Sequence, residues 1–411
     1  MAKSLIFKEY NLIKKDDISN KAFDALKSFA SREENYKYLD ITHGGNALRL
    51  KNYVGVITTK DGTTIEILPK IYGNKDEVGI VETKQVLLKM LKTLKNSPFK
   101  SIDKASLQTA NFNLFEIFIT MFLEEMTRLV KKGIKSDYVS KEENLYFLKG
   151  KIKLNSHLNQ NLLHKERFFV EFDEYTKNIA ENRLIKTTLQ KLYKISNFAK
   201  NRQRLREALF VFDDVKTSKN TDSDFKKCKT DRFMKYYQEI LRWCEIFLNN
   251  QTFSPYKGKD IAYALLFDMN LLFESYVAHF FKKQFKGRVK IQDKKHKLIE
   301  SHQLFQLRPD IVMDDNIVLD TKWKLINQES KNYDLSQADL YQMYAYGKKY
   351  GSDNVYLIYP KSKSFQFLLN VAFGYDESLR VHILCFDCID VSSNDFLSGF
   401  ALYYRYKKAI I

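Results

Sequence analysis

Apolar and polar residues alternate with a period of two over much of the first 75 positions, and this spacing predicts β-strands. Residues 53–59 and 63–69 alternate around an Asp-Gly pair, which favours a hairpin because glycine adopts the required positive φ at little cost. Residues 36–41 and 46–50 form a second alternating pair. The sequence therefore predicts a small N-terminal β-domain.

The hydrophobic period then changes to that of an amphipathic helix. Apolar residues recur three and four positions apart in three segments, residues 83–132, 178–206 and 231–249. The polar segment 133–170 is compatible with another hairpin, and the polar segment 216–230 is typical of a surface loop. The middle of the chain is thus predicted to be mainly helical.

From residue 261 the two periods alternate. Helices are predicted over 261–283 and 336–350, and strands over 288–292, 304–313, 316–323, 354–359, 364–371 and 379–386. A chain of 411 residues is long enough for two or three domains. We therefore predict a multidomain α/β protein with a β-rich domain at 1–165, a helical connection at 166–260 and a C-terminal domain at 261–411. The C-terminal domain is predicted to have a mixed central sheet flanked by helices.

The charge is strongly basic, with 68 Lys and Arg against 50 Asp and Glu and a formal net charge of +18. Basic side chains neutralise phosphates and release counterions, so this balance favours a nucleic-acid partner. A solvated surface in a lysine-rich chain is the alternative. The same two interpretations apply to the basic face of the helix predicted over 178–206.

The four cysteines do not suggest a disulfide framework in so long a chain. Cys385 and Cys388 form a CxxC in an apolar segment, which we interpret as a reduced, buried pair because structural zinc normally needs four ligands. The first residues lack the apolar core of a secretory signal, and no apolar run is long enough to span a membrane. We expect a cytoplasmic protein.

Candidate chemistry is concentrated between residues 308 and 324. Two apolar runs flank the turn-forming residues 314–316 and predict a hairpin. Asp310 begins the first strand, while Asp320 and Lys322 lie two apart on the second and therefore share a face. Folding the hairpin places Asp310 across from Asp320.

This combination of residues suits the hydrolysis of a phosphodiester. Paired carboxylates bind Mg²⁺, a hard cation that prefers oxygen ligands, and Mn²⁺ is a possible substitute. A bound metal polarises the phosphate and acidifies a water molecule, and a nearby lysine orients that water or stabilises developing charge. We predict Asp310 and Asp320 as metal ligands, the backbone carbonyl of Thr321 as a further ligand, and Lys322 as the lysine.

The order Pro309-Asp310, short hairpin, Asp320-x-Lys322 resembles the motif of PD-(D/E)xK nucleases, a superfamily of metal-dependent phosphodiesterases. The resemblance implies a PD-(D/E)xK nuclease core at the C-terminus. That core opens with a helix bearing an acidic residue, and Glu274 occupies such a position. Glu274 is either an additional metal ligand or a solvated helix residue.

The same superfamily often has a QxxxY pattern after the lysine, and Gln342 and Tyr346 match it. Residues four apart lie on one face of a helix, so both side chains can point toward the same site. We interpret them as supporting residues that position the lysine and the phosphate.

Four longer segments resemble the McrC family in the family's order along the chain: YVGVITTKDGTTIEILPKIYG, LLFDMNLLFESYV, RPDIVMDDNIVLDTKWK and LYQMYAYGKKY. The resemblance implies a nuclease subunit of a McrBC-type, modification-dependent restriction system. It also implies that residues 1–165 dock on a hexameric AAA+ GTPase resembling McrB and stimulate it, while the C-terminal domain cuts double-stranded, methylated DNA. The chain has no GxxxxGK[ST] sequence, so a phosphate-binding loop for GTP would come from that partner.

Two other functions are compatible with these motifs. One is a non-catalytic adaptor that regulates an AAA+ NTPase through an inert nuclease-like domain. The other is a stand-alone nuclease of DNA repair. The presence of Asp310, Asp320 and Lys322 together argues against an inert domain, because such a domain has no need for converging carboxylates and a lysine.

Overall fold

The computed structural model describes residues 4–71, 77–95, 98–101, 113–228, 232–249, 261–314, 316–327, 329–362, 365, 372–374, 378–391 and 394. The chain divides into two compact units. We call residues 115–251 the central unit, and residues 2–114 together with 252–411 the composite unit.

The α-helices of the described residues follow in chain order. They are α1 (Asn20–Ala30), α2 (Glu77–Thr93), α3 (Leu114–Lys132), α4 (Leu154–Gln160), α5 (Ala180–Ile195), α6 (Ala199–Val211), α7 (Thr221–Lys227), α8 (Gln238–Asn249), α9 (Met269–Gln284) and α10 (Gln337–Tyr350). No helix among the described residues is long and apolar enough to cross a membrane.

The strands of the N-terminal and middle parts of the chain are β1 (Ser4–Lys8), β2 (Leu12–Lys14), β3 (Leu39–Thr42), β4 (Ala47–Leu50), β5 (Tyr53–Thr59), β6 (Thr64–Leu68), β7 (Asp137–Leu145), β8 (Lys151–Ile152) and β9 (Phe168–Thr176). The strands after residue 260 are β10 (Ile261–Asp268), β11 (Val289–Ile291), β12 (Lys297–Ile299), β13 (Leu304–Gln306), β14 (Ile311–Met313), β15 (Ile317–Thr321), β16 (Asn354–Pro360), β17 (Ala372–Gly374) and β18 (Arg380–Phe386). The chain is a mixed α/β protein, as predicted.

Both predicted N-terminal hairpins are confirmed. β5 pairs with β6, and β3 pairs with β4, each in the antiparallel sense. The β5–β6 turn contains Gly62 at φ 87°, and the Asp61 carboxylate accepts hydrogen bonds from the Thr63 backbone N–H and the Ser19 hydroxyl. The turn chemistry therefore sets this hairpin locally.

The predicted helix over 261–283 is wrong for its first eight residues, which form β10 and pair antiparallel with β5. The periodicity of a short apolar run does not distinguish a strand from a helix. Here the run forms a strand because the free edge of β5 provides backbone hydrogen-bond partners. Gly55 permits the close approach, because an added Cβ there would collide with the Leu265 carbonyl. The resulting four-stranded sheet has the order β1-β6-β5-β10.

This pairing also bears on domain organisation. A strand of the predicted C-terminal domain belongs to the same sheet as the N-terminal strands. The two compact units therefore do not follow the predicted boundaries at 165 and 260, because the composite unit takes residues from both ends of the chain. The assignment of residues 1–165 to partner docking stays a prediction.

The second large sheet of the composite unit has the order β11-β14-β15-β16-β18-β17. β15, β16 and β18 are parallel, and β11, β14 and β17 run antiparallel to their neighbours, so the sheet is mixed as predicted. Helices α9 and α10 both pack on β15. The strand predicted over 364–371 lies outside the described residues apart from Phe365.

In the central unit, the helix predicted over 178–206 is two helices, α5 and α6. The break is held by Glu116, whose carboxylate accepts hydrogen bonds from the Ser196 hydroxyl and from the backbone N–H groups of Asn197 and Phe198. The polar segment 216–230, predicted as a loop, contains α7. Arg183 of the predicted basic face forms a salt bridge with Asp224 of α7 at 2.6 Å.

The cysteines are free, as predicted. Cys385 and Cys388 are buried, and burial raises the pKa of both thiols. They behave as small core residues rather than as reactive thiols.

Candidate active site

The hairpin β14–β15 forms the centre of the site. Ile311 pairs with Leu319, so the next register position places Asp310 across from Asp320, as the sequence predicted. Oδ2 of Asp310 accepts hydrogen bonds from the backbone N–H of Thr321 at 2.7 Å and from its hydroxyl at 2.6 Å. Two bonds to one carboxylate oxygen fix the position of Asp310 beside the second strand.

Lys322 lies beside Asp320 on this strand. Nζ of Lys322 is 2.7 Å from Oδ2 of Asp320, and the backbone N–H of Lys322 donates to the Ile358 carbonyl of β16 at 2.9 Å. Asp320 is only 2% exposed. The parallel neighbour strand therefore holds the backbone, and the side chains form a largely buried ion pair.

Gln342 and Tyr346 lie on one face of α10, as their spacing predicted. Oε1 of Gln342 accepts a hydrogen bond from Nζ of Lys322 at 2.7 Å, and Nε2 of Gln342 donates to the Tyr346 hydroxyl at 2.8 Å. Tyr346 is buried in the core between α10 and the sheet. The three side chains form a chain of hydrogen bonds that fixes the lysine ammonium from its far side.

Glu274 of α9 is near these groups without contacting the lysine. Its Oε1 accepts a hydrogen bond from Nε2 of Gln292 at 2.6 Å, and Arg308 in turn donates to the Gln292 amide oxygen. Gln292 has a positive φ of 49°, an uncommon conformation for a residue with a side chain. The amide thus holds Glu274 in a defined orientation.

The carboxylates raise one another's pKa. Burial, followed by repulsion from Asp310, raises the pKa of Asp320 to about 7. Burial, followed by repulsion from Glu274, raises the pKa of Asp310 to about 6. Burial is also the main cause of the raised pKa of Glu274, and Asp320 adds to it. Lys322 lowers the pKa of both aspartates but only partly offsets this crowding of negative charge, which a divalent cation would relieve.

The donor set fits a hydrated Mg²⁺ rather than a site made entirely of protein ligands. Among the described residues, no three His, Cys, Asp or Glu side chains form a cluster that could hold a metal ion. Asp310 and Asp320 supply two carboxylates, and Mg²⁺ commonly uses one or two carboxylates while retaining several waters.

Asp339 was not predicted, although it contacts the site. Its Oδ1 is 3.6 Å from Nζ of Lys322, and its Oδ2 is 2.7 Å from Nζ of Lys324. Asp339 lies three residues before Gln342 in α10 and therefore on the same face. This spacing is the signal that could have revealed it.

Trp323 connects the site to the N-terminal strands. Its indole N–H donates to Oε1 of Glu9 at 2.7 Å, and its ring packs against Phe273 with centroids 5.2 Å apart. Glu9 is fully buried and also accepts from the backbone N–H of Lys70 at 2.9 Å. No local sequence signal joins residues 9 and 323, so only the folded structure reveals this contact.

Replacing Glu9 with glutamine is expected to stabilise the protein at pH 8. Burial raises the pKa of Glu9 to about 7 from an ordinary 4.5, so its stabilising contribution is complete below pH 4.5 and is lost as the pH rises through 7. Glutamine stays neutral, and its amide oxygen keeps both donors, while its NH₂ group replaces Oε2, which has no hydrogen-bond partner, and this lowers the net gain. Urea unfolding should show a gain of about 1–3 kcal/mol at pH 8 that disappears near pH 4.5. A variant less stable than the parent at pH 8 contradicts this account.

The chain was also compared with known proteins. The family model described as "McrBC 5-methylcytosine restriction system component" matches residues 48–360. A search of curated proteins gave no match.

Two solved structures are similar. A chain of the half-complex from the tetradecameric assembly of Thermococcus gammatolerans McrB AAA+ hexamers with bound McrC aligns over 100% of both chains, with 18% identity and a TM-score of 0.68. A chain of the Thermococcus gammatolerans McrBC complex aligns over 72% of this chain and 90% of that chain, with 18% identity and a TM-score of 0.47. At this identity the first match shows a shared fold. The family match covers most of the sequence and confirms the resemblance to McrC, and the chain belongs to the McrBC 5-methylcytosine restriction system component family.

Proposed function

We propose that this chain is the DNA-cleaving subunit of a McrBC-type restriction complex and hydrolyses phosphodiester bonds with Mg²⁺. The observation that carries the proposal is the group Asp310, Asp320 and Lys322, brought together on one hairpin in a buried position. Crowded carboxylates with raised pKa values and a fixed lysine are costly for a fold, so their presence favours a chemical role.

Each residue of the site would have a different role in hydrolysis. Asp310 and Asp320 would hold the metal, with the Thr321 carbonyl as a further ligand. Bound Mg²⁺, or Mn²⁺ in its place, would polarise the phosphate and acidify a water molecule. Lys322, oriented by Gln342, would position that water or stabilise negative charge on the phosphate. Glu274, held by Gln292, would orient a water at the edge of the site.

The proposed partner is a McrB-like AAA+ GTPase hexamer, which this chain would bind and stimulate. In the similar assembly from Thermococcus gammatolerans, McrC is bound to McrB AAA+ hexamers. The central unit has an exposed apolar surface that fits a partner, formed by residues 146–148 and 162–163. Within it Leu163 is 88% exposed, which is unusual for a surface that contacts only water. This exposed apolar surface falls within residues 1–165, the part predicted to face the motor.

The proposed substrate is double-stranded DNA, with methylated DNA as the preferred target. The net charge of +18 favours a polyanion, and the family description names 5-methylcytosine. The decisive assay is cleavage of methylated and unmethylated plasmid with Mg²⁺ and GTP, with and without the AAA+ partner.

Each outcome of that assay has a distinct meaning. Cleavage that needs the partner, GTP and metal supports the proposal. Cleavage by the chain alone favours an autonomous nuclease, such as one of DNA repair. Stimulated GTP hydrolysis with no cleavage in any mixture favours the adaptor function.

Gln342→Leu is expected to slow cleavage about 10- to 100-fold through kcat, with little change in KM. Leucine cannot accept from Lys322, so the ammonium loses its fixed position. Tyr346→Phe serves as the graded control, because it removes only the far end of the hydrogen-bond chain, and it should slow cleavage by about threefold or less. Cleavage rates measured under single-turnover conditions distinguish the two. Equal effects of both variants would show that the chain of hydrogen bonds does not position the lysine.

A further inference from the structure

A basic groove lies beside the candidate active site within the composite unit. It has a volume of about 950 Å³ and is lined by α2, by the residues that follow α2, by one face of α9 and by Gln292. Among the described residues that line it, four are lysines, Lys89, Lys92, Lys95 and Lys282, and one is acidic, Glu274. Glu274 and Gln292 also belong to the candidate active site, so the groove and the site are continuous.

The charge of the side chains changes along the α9 face of the groove. Glu274, Ala278 and Lys282 follow at intervals of four residues, so they lie along one side of the helix. From Glu274 to Lys282 the helix rises about 12 Å, which matches roughly three to four nucleotides of a DNA strand. The groove therefore leads from the acidic centre into increasingly positive surroundings.

The electrostatics of His279 agree with this direction. The pKa of His279 is lowered by burial first and then by the positive charges of Lys283 and Lys92. A histidine whose protonation is opposed by two lysines lies in a positive potential, and such a potential attracts an anion.

The other basic helix face offers a contrast. On α5, Arg183 is paired with Asp224, Lys186 donates to the Asp213 carbonyl, and Lys191 donates to the Phe247 carbonyl. These side chains serve the packing of the central unit. The groove lysines Lys95 and Lys282 have exposed side chains at the surface of the composite unit.

We propose that this groove binds the sugar-phosphate backbone of the DNA strand on its way to Asp310 and Asp320. The inference rests on the proposed function and assigns the path of its substrate. Phosphates would be bound by the lysines without regard to base sequence, which leaves target recognition to other surfaces or to the partner.

The test is equilibrium binding of a fluorescent DNA duplex to the full chain over a series of salt concentrations, without Mg²⁺ so that no strand is cut. The groove variant carries Lys89→Gln, Lys95→Gln and Lys282→Gln. Its matched control carries Lys219→Gln, Lys226→Gln and Lys227→Gln, three exposed lysines in and beside α7 of the central unit. Both variants lose the same charge, and their thermal melting confirms that each is folded.

We expect the groove variant to bind DNA about 10- to 100-fold more weakly at low salt, and its slope of log affinity against log salt to fall by about 2 to 3. The control should change the slope by less than about 0.5. Equal slopes for both variants, or no duplex binding by the parent chain at low salt, would overturn the proposal.

Because binding is measured without cleavage, the groove and the proposed function can fail separately. Loss of DNA binding in the groove variant supports the groove even if the parent never cuts DNA. Cleavage by the parent complex with unchanged binding by the groove variant rejects the groove and leaves the nuclease assignment intact.

Discussion

Asp320→Asn is expected to abolish DNA cleavage and, at the same time, to stabilise the metal-free protein at pH 8. Loss of a metal ligand should lower the cleavage rate by at least roughly a thousandfold. The gain in stability follows from burial and repulsion by Asp310, which raise the pKa of Asp320 to about 7 from an ordinary 3.8. A carboxyl with a raised pKa contributes stability that is complete below pH 3.8 and is lost as the pH rises through 7.

Asparagine keeps the shape of the side chain without its charge, and the Lys322 ammonium keeps the Asp339 carboxylate at 3.6 Å and the Gln342 amide oxygen at 2.7 Å as partners. The metal-free variant should therefore gain about 1–3 kcal/mol at pH 8. Mg²⁺ should remove most or all of this difference in stability. At about 100 times its dissociation constant it would add about 2.7 kcal/mol to the parent and little to the variant. Chemical denaturation with and without Mg²⁺ at pH 5 and pH 8 measures both effects. If the Asp320→Asn variant still cuts DNA, or is destabilised in the absence of metal, Asp320 is not the proposed ligand.

Lys322→Met is expected to slow cleavage strongly and, unlike Asp320→Asn, to destabilise the protein. Burial would lower the pKa of Lys322, but the carboxylate of Asp320 outweighs it and the pKa is raised, so the lysine is a cation throughout the assay range. Removing the cation leaves a buried carboxylate without its 2.7 Å partner. The free energy of unfolding at pH 8 should fall by about 1–3 kcal/mol, because the lysine is partly exposed and its loss is partly screened.

The cleavage rate of Lys322→Met should fall by about 10²- to 10³-fold even with saturating Mg²⁺. Lys361→Met is the matched control, since Lys361 pairs with Asp387 at 2.9 Å in the same unit and takes no part in the site. It should cut DNA within about threefold of the parent rate. A complex with Lys322→Met that cleaves as fast as the control would remove the lysine from the mechanism.

The parts of the site predicted from the sequence are those that local structure determines. Turn residues and alternating strands place Asp310 across from Asp320, and helical spacing places Gln342 and Tyr346 on one face. The structure confirms these positions. Their roles in metal binding and catalysis stay predictions.

The features that the sequence analysis did not predict depend on contacts between residues far apart in the chain. β10 is a strand because β5 offers it an edge, and α5 ends where Glu116 binds the following backbone groups. Glu9 contacts Trp323 although 314 positions of sequence separate them. None of these contacts has a local signature, because each pairs residues that are separated by long stretches of sequence.

The pairing of β5 with β10 has a consequence for how the protein is made. β5 is synthesised early. The ribosome must then add roughly 200 more residues before β10 emerges, which takes about 10–40 s at typical rates of translation. During that time β5 has β6 on one side and no native partner on the other. An unpaired strand edge can pair with another chain, so aggregation of nascent protein should be greatest in this interval. A chaperone would be of most use to the cell at that stage.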